Sequence, residues 1–249
     1  MKILAIDSSG LVATAAIWEG DSFGNEGRIL AKSSTDYKKT HSQTLLPMID
    51  RLCKDTDCNA ESFDAVAISS GPGSFTGLRI GSATAKAIAL ASDIPVIEVP
   101  TLLGLAYNFW GSDRIICPLM DARRNQVYTG LYTFEKGGPV TIEDQTAISL
   151  EEILDKARRE SEKRDKAVIF LGDGADAYRE EIKKNADFEY EFAPAHLNRQ
   201  DASSVAVPAA KMFGKGQTVS ADDHKPVYLR TSQAEREGAK NFDLRSSVS

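Results

Sequence analysis

Histidine and cysteine are scarce, three of each in 249 residues. Cys53, Cys58 and Cys117 are odd in number and form no Cys-x-x-Cys pair. That pattern argues against a disulfide framework or a zinc site and for free thiols in a reducing cytosol. No two of His41, His196 and His224 stand four residues apart, so HxxxH and HExxH are both absent. Metal-assisted hydrolysis therefore has no visible ligand set, and each histidine is expected to be solvated or hydrogen-bonded. Basic residues are also short: 30 Lys and Arg against 36 Asp and Glu leave a formal charge of −6. Phosphate contacts draw on a basic surface, so nucleic-acid binding by this chain alone is expected to be weak and to need a local basic patch. No apolar run reaches the ~18 residues of a membrane span. The opening Met1 to Asp7 meets a charge too early for a signal peptide, so a cytoplasmic location is expected.

What remains is ample for a folded α/β protein: 42% of residues are hydrophobic. Residues 2–6, 11–18 and 28–33 read as strands of a meander, with Asp7-Ser8-Ser9-Gly10 in the first turn. Residues 41–54 carry apolar residues at helical spacing, with Thr40 or Ser42 as cap and Pro47 tolerable near the first turn. Residues 64–69 read as a buried strand, 77–91 as an alanine-rich helix, 95–99 as a strand and 101–110 as a short apolar helix. That order is a parallel βαβ unit. A hairpin pattern restarts at 115–120 and 126–134 around Asp121-Ala122-Arg123-Arg124-Asn125, as if the N-terminal plan were repeated in weakened form. Helices over 149–163, 175–185 and 202–213 and a strand over 167–171 complete the pattern. The expectation is two α/β lobes, 1–108 and 109–230, followed by a polar, disordered tail over 231–249.

Three local constellations carry chemical potential. The Asp7-Ser8-Ser9 turn can hold a hydrated metal or a phosphate oxygen, or it can be an Asx turn in which Asp7 only bonds nearby amides. In Gly71-Pro72-Gly73-Ser74-Phe75-Thr76-Gly77-Leu78-Arg79, glycines free the backbone before a helix start. The segment is neither a P-loop nor GxGxxG, and Ser74 lacks a nucleophile-elbow context. It is either a strand-to-helix turn or an anion or partner contact, with Arg79 one turn into the helix. Asp121 and Arg123 sit where a cleft rim would place them, or in a solvated salt-bridged turn.

Together these segments resemble the TsaB/YeaZ family of the actin-like ATPase, sugar kinase and Hsp70 superfamily, which is related to the glycoprotease proteins. The matching text is Ile3 to Ser9, Thr40-His41-Ser42 with Leu45-Leu46-Pro47, Gly71 to Gly81, Met120-Asp121-Ala122-Arg123 with Val127-Tyr128, and Pro226 to Arg230. The resemblance implies two actin-like (ribonuclease H-like) lobes, the second smaller and degenerate. It implies a non-catalytic partner of a TsaD-type paralogue in making threonylcarbamoyladenosine beside the anticodon of tRNAs. A TsaE-type ATPase works with that pair, and TsaC-type enzymes supply threonylcarbamoyl-AMP. The paralogue's metal-binding HxxxH follows the strand after the glycine-loop helix; here those two positions hold Thr101 and Leu105, and leucine cannot bind a metal. The resemblance also implies a helical bundle with the paralogue or, alone, with a second copy, through His41, Leu45, Ile49, Thr76, Ile80, Ala83 and Ala87. The nucleotide or complex contacts it points to are Asp7, Ser8, Ser9, Gly71, Gly73, Ser74, Arg79, Asp121 and Arg123. No cofactor is required; ATP or ADP, bound weakly or at the partner interface, is left open, and tRNA is reached through the complex. The alternative is an independent ATPase or small-molecule kinase of the same superfold, which rests on fold kinship alone.

Overall fold

The computed structural model describes residues 1–21, 26–37, 40–136 and 138–230. The 231–249 tail expected from the sequence lies outside the described residues. Strands β1 (Lys2–Asp7), β2 (Ala13–Gly20) and β3 (Gly27–Thr35) form the antiparallel meander. On the other edge of β1 lie β4 (Ala65–Gly71) and β5 (Val96–Pro100), both parallel to it, giving the order β3-β2-β1-β4-β5. Parallel neighbours need crossovers, and helices α1 (His41–Asp55) and α2 (Phe75–Ser92) supply them on one face of the sheet. Strands β1 and β4 are buried on both faces, which is why they read as unbroken apolar runs and not as alternation.

A short helix, α3 (Thr101–Ala106), leads into the second sheet, built from β6 (Ile115–Asp121), β7 (Gln126–Glu135), β8 (Gly138–Ser149), β9 (Val168–Leu171) and β10 (Tyr190–Phe192). Its order is β10-β9-β6-β7-β8. Counted from each lobe's own first strand, both sheets place their strands third, second, first, fourth, fifth. Helix α4 (Leu150–Arg164) joins the third strand to the fourth, and α5 (Asp173–Ala177) with α6 (Arg179–Asn185) joins the fourth to the fifth. The weakened repeat expected for the second lobe does not extend to its sheet, which matches the first strand for strand. Strands β8 and β10 were hidden for physical reasons. β8 is half-buried and polar in its middle, and β10 is three residues long.

Each lobe lends its last helix to the other. Helix α7 (Ala202–Gly214) lays Ala202, Val205, Ala206, Ala209 and Ala210 on Ile3, Ala5, Ala67 and Val99 of the first sheet. In return α3 lays Leu102, Leu105 and Ala106 on Ile116, Met120 and Ile169 of the second. Beyond α7, Val219 pairs with Val96, so the chain returns to the edge of the first sheet, and residues 228–230 then reach the junction of the lobes.

Two local expectations are corrected. Pro47 lies seven residues into α1, not in its first turn. Pro47 and Gln43 are both exposed, so water satisfies the Gln43 carbonyl that loses its helical partner. Thr40 is the N-cap of α1 by position but makes no side-chain cap bond.

Candidate functional site: a cleft between two matched turns

The C-terminal ends of β1 and β4 meet those of β6 and β9, and a cleft of about 570 Å³ opens between the lobes there. Its walls come from six separated stretches of chain. Ser9 to Leu11 and Gly73 to Thr76 form one side; Met120 to Arg123 with Tyr128, and Asp173, form the other; Tyr228 to Arg230 closes an end.

On the first side, Asp7 ends β1 and is 1% exposed. Its Oδ1 accepts the Ser9 N–H (2.8 Å) and the Ser9 hydroxyl (2.6 Å), and its Oδ2 accepts the Ser69 hydroxyl (2.6 Å). Burial pushes the Asp7 carboxyl above the usual carboxylate range, while the bonds from Ser69 and Ser9 pull it back in part. Asp7 therefore acts as an Asx-turn anchor beneath the cleft and does not line it. Ser8 is also buried, and its hydroxyl donates to the Gly77 carbonyl (2.9 Å). Ser9 O accepts the Ser74 N–H (2.6 Å), and a Cβ on Gly73 would lie 2.3 Å from that same Ser9 O. Glycine at 73 is thus needed for the loop to press against the turn. Ser74 caps α2, its hydroxyl accepting the Gly77 N–H (3.3 Å). His41 Nε2 lies 2.8 Å from Gly10 O, which ties the start of α1 to the same turn.

Gly71 has φ +123°, and a Cβ there would stand 2.2 Å from Val227 O. The backbone around Gly71 receives the returning chain: the Val227 N–H donates to Ser70 O (2.7 Å). Upstream, His224 is fully buried, with Nδ1 2.6 Å from Glu98 Oε1. Tyr228 then stacks on Phe75 (4.9 Å between centroids), and the Arg79 guanidinium lies 4.0 Å over the other reach of that ring system.

The second side repeats the first with different exposure. Asp121 ends β6 as Asp7 ends β1, and its Oδ1 accepts the N–H of Arg123, two residues on (2.7 Å). Yet Asp121 is exposed, and its second partner is the Tyr178 hydroxyl (3.3 Å). Arg123, Arg124 and Asn125 follow with φ 61°, 59° and 58°, a left-handed turn that non-glycine residues rarely adopt. Arg230 holds it from the far end of the chain by donating to the Ala122 and Arg123 carbonyls. Gly172 follows β9 at φ +99° with Leu119 O 2.2 Å from where a Cβ would sit, the counterpart of Gly71. Asp173 follows; its Oδ1 is buried with no hydrogen-bond partner among the described residues. Burial, helped by the charge of Asp121, pushes its carboxyl up, and Arg199 opposes this.

Of the expected site residues, the cleft gathers Ser9, Gly73, Ser74, Asp121 and Arg123. Asp7, Ser8 and Gly71 support it from below, and Arg79 reaches it through Phe75. Asp173, Tyr228 and Arg230 belong to it as well. The signal for Asp173 was the Gly172-Asp173-Gly174 turn after a strand; Tyr228 and Arg230 fall in the matching segment Pro226 to Arg230, which carries the resemblance without itself pointing to a cleft. A phosphate with its cation would need a free carboxylate on the first turn, but both Asp7 oxygens are taken by serines. The first turn therefore does not fit a metal–triphosphate held through Asp7. Among the described residues no group of three His, Cys, Asp or Glu side chains could hold a metal ion, and no helix is long and apolar enough to cross a membrane.

Thr101 and Leu105 have structural duties. Thr101 is buried and its hydroxyl accepts the Gly71 N–H (3.1 Å); Leu105 is packed against the second sheet. The helical face expected to meet a partner divides in two. Thr76, Ala83 and Ala87 are exposed along α2, in line with Leu90, while Ile80 and His41 are half-buried. Leu45 and Ile49 are corrected: they lie in the core under α1, because the apolar period of that helix faces its own sheet.

Residues 28–238 match the protein family described as "TsaD: tRNA N6-adenosine threonylcarbamoyltransferase". The chain is 32% identical to the tRNA threonylcarbamoyladenosine biosynthesis protein TsaB of Bacillus subtilis, over 94% of this chain and 96% of that one. It is 29% identical to the protein of the same name from Escherichia coli, over the same shares. Among solved structures, YeaZ from Pseudomonas aeruginosa superposes with a TM-score of 0.75 at 26% identity, covering 92% of this chain and 99% of that one. Strand order, matched turns, near full-length coverage and identity point one way: the chain belongs to the TsaB/YeaZ family, with its actin-like α/β fold.

Proposed function

We propose that this chain takes part in forming threonylcarbamoyladenosine on tRNA, as a non-catalytic subunit that docks a TsaD-type transferase. The role in that modification is supported by the name and near full-length match of its relatives. The partner role is supported chiefly by one observation: Thr101 and Leu105 are built into the fold where the resemblance would put a transferase's two metal-binding histidines. Replacing either with an imidazole would break a buried hydrogen bond or a packed core contact. The docking surface is the exposed side of α2, Thr76, Ala83, Ala87 and Leu90, with Leu46 of α1 beside it; small side chains there let a second helix approach closely. The same face makes a homodimer when the chain is alone. A TsaE-type ATPase and tRNA join through the complex, in the cytoplasm.

The test mixes the purified chain with the TsaD-type paralogue of its own organism, the TsaE-type ATPase, a TsaC-type enzyme, unmodified tRNA, threonine, bicarbonate and ATP. Modified adenosine is then scored by mass spectrometry. The expected result is modification only when both the chain and the paralogue are present. Equal modification without the chain, or modification by the chain without the paralogue, would end the proposal.

A further inference from the structure

Arginine is distributed unevenly over the surface. Most described arginines are held by acids, Arg28, Arg51, Arg114, Arg158, Arg164, Arg179 and Arg199 among them. Those without an acidic partner among the described residues are Arg79, Arg123, Arg124, Arg159 and Arg230. Two of these line the cleft, and two more adjoin residues that do. Arg123 and Arg230 line it, Arg124 follows on the same exposed turn, and Arg79 rests on Phe75. In a chain of net charge −6, this grouping is a local basic rim. It adjoins Tyr228, which is 39% exposed and rests on Phe75, the ring that also carries Arg79.

The rim and the ring ask for different parts of one ligand. Guanidiniums bind phosphodiester oxygens and an aromatic face stacks an unpaired base. A compact polyanion would bring its charge against Asp121 and Asp173, whereas an extended strand spreads its phosphates along the rim. We infer that the cleft between the lobes binds an unpaired segment of RNA, its phosphates on Arg123, Arg124 and Arg230 and a base against Tyr228, which Phe75 supports from behind. That the RNA is tRNA rests on the proposed function; the binding chemistry does not.

The experiment measures fluorescence anisotropy of a labelled, unmodified tRNA anticodon stem-loop with the full chain in about 50 mM salt, where phosphate contacts are strongest. The double variant Arg123→Glu/Arg124→Glu is expected to bind roughly tenfold or more weakly, with a salt slope shallower by about 1 to 2. The control Arg159→Glu/Lys163→Glu carries the same charge change at the far end of α4, which leads to the opposite end of β9, and should stay within about twofold of wild type. Phe75→Ala should weaken binding several-fold with an unchanged salt slope. Equal losses in the two double variants, or none in either, would overturn the inference. So would displacement of the stem-loop by ATP at an equal nucleotide concentration, which marks a mononucleotide site. Loss of paralogue binding with RNA binding intact would also overturn it, because the rim would then be a protein contact. Light scattering of the chain with its paralogue separates the two readings. A chain that binds RNA at the rim but never joins the paralogue leaves this inference standing and removes the proposed function.

Discussion

In the first lobe the carboxylate that ends the leading strand is buried and satisfied by Ser9 and Ser69; in the second its counterpart, Asp121, is exposed and reaches Tyr178. Both use the same bond to the N–H two residues on, and each lobe has a positive-φ glycine at or just after the end of its fourth strand. The geometry of the turn is thus repeated, while its chemistry is not. One turn is locked inside the protein, and the other carries arginines to its surface. A shared fold fixes where a turn sits, and the side chains around it decide whether it is scaffold or contact.

The comparison breaks most visibly at the glycines. Gly71→Ala and Gly172→Ala each force a Cβ onto a carbonyl oxygen and a non-glycine residue into positive φ. Each should cost about 3 kcal/mol or more of unfolding free energy, read by urea denaturation. Similar losses at both sites would support equivalence of the lobes; a near-neutral result at Gly172 would deny it.

Next in size is the pair of aspartates. Asp7→Ala leaves the Ser9 N–H and the Ser69 hydroxyl unpaired in the core and should cost about 2–3 kcal/mol, against roughly 0.5–1 kcal/mol for Asp121→Ala. The pH dependence sharpens this contrast. Because the folded Asp7 carboxyl is raised, the folded state holds its proton more tightly than the unfolded chain does. Stability therefore falls as pH rises from the ordinary carboxylate range through the raised value. Asp7→Asn should flatten that fall.

A smaller effect on stability, with a large effect on assembly, is expected on α2. Ala83→Glu with Ala87→Glu should change the unfolding free energy by less than about 1 kcal/mol, since both side chains are exposed, yet abolish the complex in light scattering. The mildest prediction concerns thiols. Burial pushes the Cys117 thiol up to about 12, so a thiol reagent at pH 8 should label Cys53 and Cys58 first and Cys117 only on unfolding.

Much of this was legible in the sequence. The apolar runs that became β1, β4 and β6 and the glycine loop ahead of α2 could be read directly, because local pattern determines them. Exchange of α3 and α7 between the lobes could not be read, since an alanine-rich helix fits either sheet equally well. The cleft was half legible. Asp121 and Arg123 stand in a charged turn that announces itself, but Tyr228 and Arg230 reach the site only because Val227 docks on Ser70. Leu45 and Ile49 show the commonest error of pattern reading. Helical period identifies an apolar face without saying whether it meets the protein's own sheet or a partner.

The most direct test of the central claim, that this chain supports a transferase and is not one, is the modification assay run with each protein omitted in turn. The account predicts threonylcarbamoyladenosine only with the chain and its TsaD-type paralogue together, and none from either alone. Modification by this chain in the absence of the paralogue would contradict it.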